Sequence, residues 1–338
     1  MPDEPVLMDL GTAPRSLSRL AGLALGFNVL VILWGAVVRA TGSGAGCGAH
    51  WPTCNGSVVP LAPSVGTLIE YSHRATSGIA LLLVALLLHR VFRYREPGHL
   101  ARFWAAVSMV LILSEAALGA GLVLFQKVAD DASVARGYWI SGHLINTFLL
   151  LASLTLTLRF VDARSGALAG PHIGPLRATF PVASRTVATV FVALAIVATG
   201  ISGAIAALGD TLFKASTLRE AIAQDFASSS HIFLRLRILH PLIALLGGGL
   251  VLMVAYRTIT SNPDRPKARQ LGLILAGLVI GQWFLGLTNL VLLAPTWLQI
   301  LHLLMADLIW MTLVLALAGA ARVVPRTPPG SGAVSSTT

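Results

Sequence analysis

Residues 69–93 read IEYSHRATSGIALLLVALLLHRVFR. The stretch opens on acidic, hydroxyl, imidazole and guanidinium groups, then runs almost wholly apolar from residue 74 to 92. About 20 apolar residues cross the hydrocarbon core of a bilayer. In lipid such a run must be a helix, because an open strand leaves backbone groups unpaired. Comparable apolar runs lie near 20–38, 103–125, 138–158, 186–208, 238–256, 271–293 and 298–320. Eight spans are therefore expected, in an all-α integral membrane protein.

Composition agrees. Hydrophobic residues make up 55% of the 338 and charged residues 11%, against roughly 25% charged in soluble domains. The formal net charge of +10 reads as topology and not as a nucleic-acid surface. With eight spans both termini share a side, and the segments on that side carry sixteen of the 24 Lys and Arg residues. The positive-inside rule then puts both termini in the cytoplasm, so a multi-pass protein of the cell membrane is expected. The leader Met1–Arg19 is polar and no small-residue cleavage site follows the first apolar run, so no cleavable signal peptide is expected. The tail from Pro325 is rich in Pro, Gly, Ser and Thr and is expected to be disordered.

The chain repeats. His73 and His240 are 167 residues apart, as are Glu115 and Gln282, and Gly119 and Gly286. Gly35 matches Gly203 at an offset of 168, and His143 matches His302 at 159. A four-span repeat enters the membrane from one side in both copies, so two four-helix bundles related by a pseudo-two-fold axis along the membrane normal are expected. The divisions are 1–19 (cytoplasmic segment), 20–160 (first bundle), 161–185 (cytoplasmic linker), 186–320 (second bundle) and 321–338 (tail).

Of nine histidines, His50, His89, His99, His172 and His231 fall in loops or near span ends and are read as solvated or interfacial. His73, His143, His240 and His302 fall within a turn or two of the outer start of the even-numbered spans, toward the outer membrane face. Ionisable residues inside a membrane mark function. Four at matched depth, in duplicated positions, point to two bis-imidazole sites for heme iron, whereas zinc or copper wants a further ligand nearby. The copies differ: the first carries Glu70 before His73 and the second Arg237 before His240. A carboxylate beside heme can move protons or stabilise positive charge, while arginine suits a propionate. Glu70 pairing with Arg74 or Arg39 at the interface is the plainer alternative. Glu115 either relays protons or is hydrogen-bonded between helices. Asn28, Asn146, Gln282, Asn289 and Asp307 are further polar residues within the spans. Cys47 and Cys54, both in the first outer loop, are expected to form a disulfide, as a staple or as a redox pair.

These residues resemble the heme A synthase family. The resemblance rests on Gly35-Ala-Val-Val-Arg39-Ala-Thr-Gly-Ser-Gly44, on Cys47 and Cys54 enclosing Trp51-Pro52 with Asn55-Gly56 following, on Ile69-Glu70-Tyr71-Ser72-His73-Arg74, and on the later histidines. It spans nearly the whole chain and departs at none of these positions. The second-half outer loop holds no cysteine, a point on which family members differ. The resemblance implies an oxidoreductase that converts the C8 methyl of heme O to the formyl of heme A for terminal oxidases. It implies substrate heme between His73 and His143, catalysis at Glu70, and a heme b cofactor on His240 and His302. Arg237 and Arg74 are, on their own chemistry, read as further cofactor-binding residues. Heme O synthase, cytochrome oxidase assembly and an unidentified electron acceptor are the implied partners. The competing readings are a quinone-linked diheme b-type electron-transfer cytochrome and, more remotely, a parallel-repeat transporter, which would want broken helices at mid-membrane.

Overall fold

The computed structural model describes residues 15–161, 180–260 and 266–320. The cytoplasmic leader up to residue 14, most of the expected linker, His172 and the tail lie outside the described residues. Within them the chain is all α-helical: α1 (Arg15–Ala40), α2 (Val65–Tyr94), α3 (Leu100–Leu124), α4 (Val134–Val161), α5 (Phe180–Leu212), α6 (Leu218–Phe226), α7 (Ile232–Thr260), α8 (Pro266–Val291) and α9 (Thr296–Ala320). All but α6 are long and apolar enough to cross a membrane, which gives the eight expected spans.

The helices begin further out than hydropathy suggests. Ser64 caps α2, its hydroxyl accepting from the Thr67 amide at 3.2 Å, and helix then runs through Glu70, Ser72, His73 and Arg74 before the apolar stretch. His73 is thus the ninth residue of α2, His143 the tenth of α4, His240 the ninth of α7 and His302 the seventh of α9. At 1.5 Å per residue they sit about 9–14 Å inside the helix starts, past the second turn for all but His302.

α6 is absent from the sequence expectation because its nine residues carry Arg219, Glu220 and Asp225. Its capping signal was nonetheless present. Thr217 Oγ1 accepts from the Glu220 amide at 3.1 Å, and Glu220 accepts from the Ser216 amide at 2.8 Å, a variant of the capping box. Hydrogen bonds from Ser216 hold the Glu220 carboxyl below its usual range.

Apolar packing concentrates at the end of the bundle away from the histidines. One cluster joins α1 to α4 through Ala21, Val84, Leu87, Ala105 and Leu154. Another draws on both halves, with Val29, Leu151, Ile196, Val251, Leu275 and Leu313. Phe148 of α4 stacks on Trp310 of α9 at 5.2 Å, and the Trp310 indole donates to the Phe148 carbonyl at 2.7 Å. In α4, 61% of the apolar window is buried, against 17–33% in the other spans, so α4 is the inner helix at the seam. Leu82, Leu246 and Phe284 are among the large apolar side chains left exposed on the spans, where lipid is the matching solvent.

Candidate functional site: paired histidines in a common chamber

At the histidine end the helices enclose a cavity of about 1770 Å³, lined by residues of both halves and including all four span histidines. Sites for one drug-sized ligand run to roughly 1,000 Å³, so this space accommodates more than one large ligand. The loop carrying Trp51 and Pro52 borders it over the first half, and α6 borders it over the second through Leu218, Ala221 and Asp225.

Two of the histidines, His73 and His143, come from the first half and two, His240 and His302, from the second, and all four line the same cavity. Each is seated on a glycine of the preceding membrane-spanning helix. A Cβ placed on Gly35 would lie 3.0 Å from His73 Cε1, and one on Gly203 would lie 3.0 Å from His240 Cε1. The corresponding distances are 3.9 Å from Gly119 to His143 and 3.2 Å from Gly286 to His302. The matched glycines read from the sequence are thus the floor on which the imidazoles rest.

The ring nitrogens suit an iron ligand set. His240 Nδ1 lies 2.9 Å from Ser202 Oγ, an arrangement that leaves Nε2 free. The Nδ1 atoms of His73, His143 and His302 are buried without a hydrogen-bond partner among the described residues. Buried polar atoms are ordinarily satisfied, and the nearest acceptor to one of these nitrogens is Glu115 Oε1, 3.4 Å from His143 Nδ1. Two imidazoles in each half of an apolar enclosure fit heme iron.

Glu70 is buried, and its two oxygens are both engaged. Oε2 accepts from the Cys47 amide at 2.8 Å and Oε1 from Arg74 Nη2 at 2.5 Å. Arg74 Nη1 in turn donates to the His50 and Thr53 carbonyls at 2.6 and 2.7 Å. Of the two partners the sequence offered, Glu70 takes Arg74. The same two residues clamp the loop closed by the Cys47–Cys54 disulfide, both of whose cysteines are buried. Gly46 lets that loop approach: a Cβ there would meet the Gly66 backbone at 2.5 Å.

Arg39 crosses to the other half, donating to the Ala207 carbonyl at 2.7 Å, to Thr211 at 2.8 Å and to Gln299 at 2.8 Å. Arg237, expected at a propionate, pairs with Asp210 at 2.7 Å and with Asp225 of α6. Neither acid was singled out from the sequence, since one ends α5 and the other lies in the unanticipated α6. Glu115 accepts from Asn146 and Thr147, each at 2.5 Å. Asp307 is fully buried, and neither carboxyl oxygen has a partner among the described residues. His50 and His89 are exposed as expected. His99, read as solvated or interfacial, is instead buried and accepts from the Ala101 amide at 3.1 Å, capping α3.

Comparison with known proteins bears on the chemistry. A Thermus thermophilus protein named Protoheme IX farnesyltransferase is 46% identical over 319 residues, covering 93% of this chain and 51% of that protein. The heme A synthase of Alkalihalophilus pseudofirmus is 36% identical over 143 residues, 42% of this chain and 46% of its own length. That of Halalkalibacterium halodurans is 37% identical over 152 residues, 44% and 48% respectively. The chain thus spans about half the length of these curated relatives. The family model described as cytochrome oxidase assembly protein matches residues 18–314. With the paired histidines and the disulfide-closed loop in place, the chain belongs to the cytochrome oxidase assembly protein family, among relatives that include the heme A synthases.

Proposed function

We propose that the chain is a heme A synthase, oxidising the C8 methyl of heme O to a formyl group. The observation that carries this reading is Glu70 fixed three residues before His73, at the wall of a chamber that also holds His143. Substrate heme O is held between His73 and His143 in the 20–160 bundle. A heme b is held by His240 and His302 in the 186–320 bundle. The recurrence of a glycine seat under each histidine supports treating the two bundles as pseudo-symmetric copies.

The overall change is R–CH3 + H2O → R–CHO + 4 e⁻ + 4 H⁺, with the electrons delivered to an external electron acceptor and the protons to solvent. A heme b, when bound, would supply one-electron relay chemistry. His73 and His143, seated on Gly35 and Gly119, would hold the substrate heme. Glu70, immobilised by the Cys47 amide and Arg74, presents a carboxylate that orients water or takes up a released proton without reorganising. The disulfide loop, including Trp51, limits access of bulk water from its side. Arg74 and Arg237 act at the cofactor rim through the loops they hold, since their guanidinium groups are already committed to protein acceptors.

Heme O is the product of protoheme farnesylation. The Thermus protein with that name matches this chain over only half its length. We assign its farnesyl transfer to the part outside the match, and heme O synthase to this chain as its substrate donor. The basic segments support a cell-membrane location with cytoplasmic termini and hemes toward the outer face.

Pigment analysis of purified wild type, His73→Ala and His240→Ala tests this. Loss of O- or A-type pigment in the first variant, and of b-type in the second, is expected. Equal loss of the same pigment in both would overturn the division of labour. Two fixed b hemes in the wild type would favour the electron-transfer cytochrome.

A further inference from the structure

Positions 115 and 282 occupy matching places in α3 and α8, each four residues before a histidine-seating glycine, yet one is an acid and the other an amide. Glu115 is pinned. Its Oε1 accepts from Thr147 and its Oε2 from Asn146, each at 2.5 Å. Asn146 is itself tied to the Ser114 hydroxyl at 2.6 Å and the Leu111 carbonyl at 2.8 Å. This leaves Glu115 Oε1 3.4 Å from Nδ1 of His143, a nitrogen with no hydrogen-bond partner among the described residues. In the other half, Gln282 Nε2 lies 3.3 Å from His302 Nε2 and donates to the His302 backbone carbonyl at 3.1 Å, while His302 Nδ1 has no hydrogen-bond partner among the described residues. In either orientation the amide is neutral.

We propose that Glu115 is a positioning residue that sets the donor strength of His143, so that the two histidine-paired sites have different reduction potentials. A carboxylate that accepts the Nδ1 proton fixes the tautomer with Nε2 toward the metal and makes the imidazole a stronger donor. It also adds a negative charge, which stabilises the oxidised iron. No carboxylate lies within ion-pair distance of His302 Nδ1 among the described residues, and the amide at the matching position 282 meets the other ring nitrogen. The first site is therefore poised at the lower potential, and electrons released there run downhill toward the second. This inference rests on the two-heme reading above and supplies the direction of electron flow within it.

The alternative is that Glu115 merely ties α3 to α4. Glu115→Gln separates the two, because an amide can keep a bond to Thr147 or Asn146 while removing the charge. Spectroelectrochemical titration of the purified, heme-containing protein is the readout, with each potential assigned through the His73→Ala and His240→Ala variants. Loss of an outer partner of a ligating histidine typically costs ten- to a hundredfold in metal affinity or activity. With about a tenfold loss falling on the oxidised iron alone, Glu115→Gln should raise the first-site potential by about 59 mV, a tenfold change for one electron, and leave the second unmoved. If Glu115→Gln loses its heme, Thr147→Val decides: it removes the hydroxyl donor from Glu115 Oε1, leaves that oxygen to the His143 Nδ1 proton, and should lower the first-site potential. An unchanged first-site potential in a folded, heme-loaded Glu115→Gln protein or, where that variant loses its heme, in Thr147→Val would overturn the inference. Because the shifts are read whether the hemes are O, A or b type, failure of the heme A synthase reading would leave this result intact and separately legible.

Discussion

Replacing Gly35 by alanine puts one methyl group against one imidazole. The added Cβ would stand 3.0 Å from His73 Cε1 and 3.3 Å from Nε2, inside the 3.5–4.0 Å at which carbon atoms are comfortable. Either the ring or the α1 backbone must move by several tenths of an ångström. Overpacking of this kind costs about 1–3 kcal/mol, which as lost ligand affinity is roughly fivefold to a hundredfold. The helix itself favours the change, since alanine is better than glycine in a helix interior by about 1 kcal/mol. The variant should therefore fold at least as well as the wild type while retaining less heme at the His73–His143 site. Gly203→Ala should do the same at the His240 site, where the Cβ distance is again 3.0 Å. Gly26→Ala and Gly249→Ala are the controls, because nothing lies within 4 Å of a Cβ at either position and neither lines the cavity. Heme per protein after detergent extraction, by pyridine hemochrome and by separation of O, A and b pigments, gives the answer. If Gly35→Ala and Gly203→Ala deplete the same pigment, or behave like the controls, the glycine seats do not support the ligands.

Three other outcomes follow from particular contacts. Asp307→Leu removes a buried carboxyl that makes no hydrogen bond among the described residues; the desolvation cost relieved is about 1–3 kcal/mol, so the detergent-solubilised protein should melt at a higher temperature, and a lower one would refute the reading of an unsatisfied group. Gln299→Ala withdraws one of the three acceptors that Arg39 reaches in the second half and should lower stability by about 1.5–3 kcal/mol, measured by thermal unfolding; a neutral result would mean that Arg39 does not fasten the halves. Replacing both Cys47 and Cys54 by serine opens a loop closed across seven residues of separation, worth about 2.5 kcal/mol by chain entropy. Because the loop also supplies the Cys47 amide to Glu70, heme A formation should fall with heme content preserved; heme loss without an effect on turnover per bound heme would contradict this coupling.

The spans were legible because lipid selects on average hydropathy over about 20 residues, a property of the sequence alone. Helix starts were less so: Glu70, His73 and Arg74 lower the hydropathy where α2 is already helical, so the histidines lie deeper than the apolar runs suggest. The duplicated glycines could be matched by offset, but their task as histidine seats depends on helix packing. The partners of Glu70 and Arg237 required the loops, which fold back from 23 and 12 residues away. α6 was hidden by its charges, although Thr217 and Glu220 marked its start. His99 reads as an interfacial residue by position and turns out to be a buried cap, because a helix start near the membrane surface needs an acceptor for its first amides.

The central claim is that heme O bound by His73 and His143 is the substrate. Purified protein loaded with heme O, supplied with an electron acceptor and sampled over time, tests it most directly when the extracted pigments are separated by chromatography. The account predicts that heme O declines as heme A appears while heme b stays constant, with Glu70→Gln binding heme O but forming little heme A. Unchanged heme O in the wild type, or full conversion by Glu70→Gln, would contradict it.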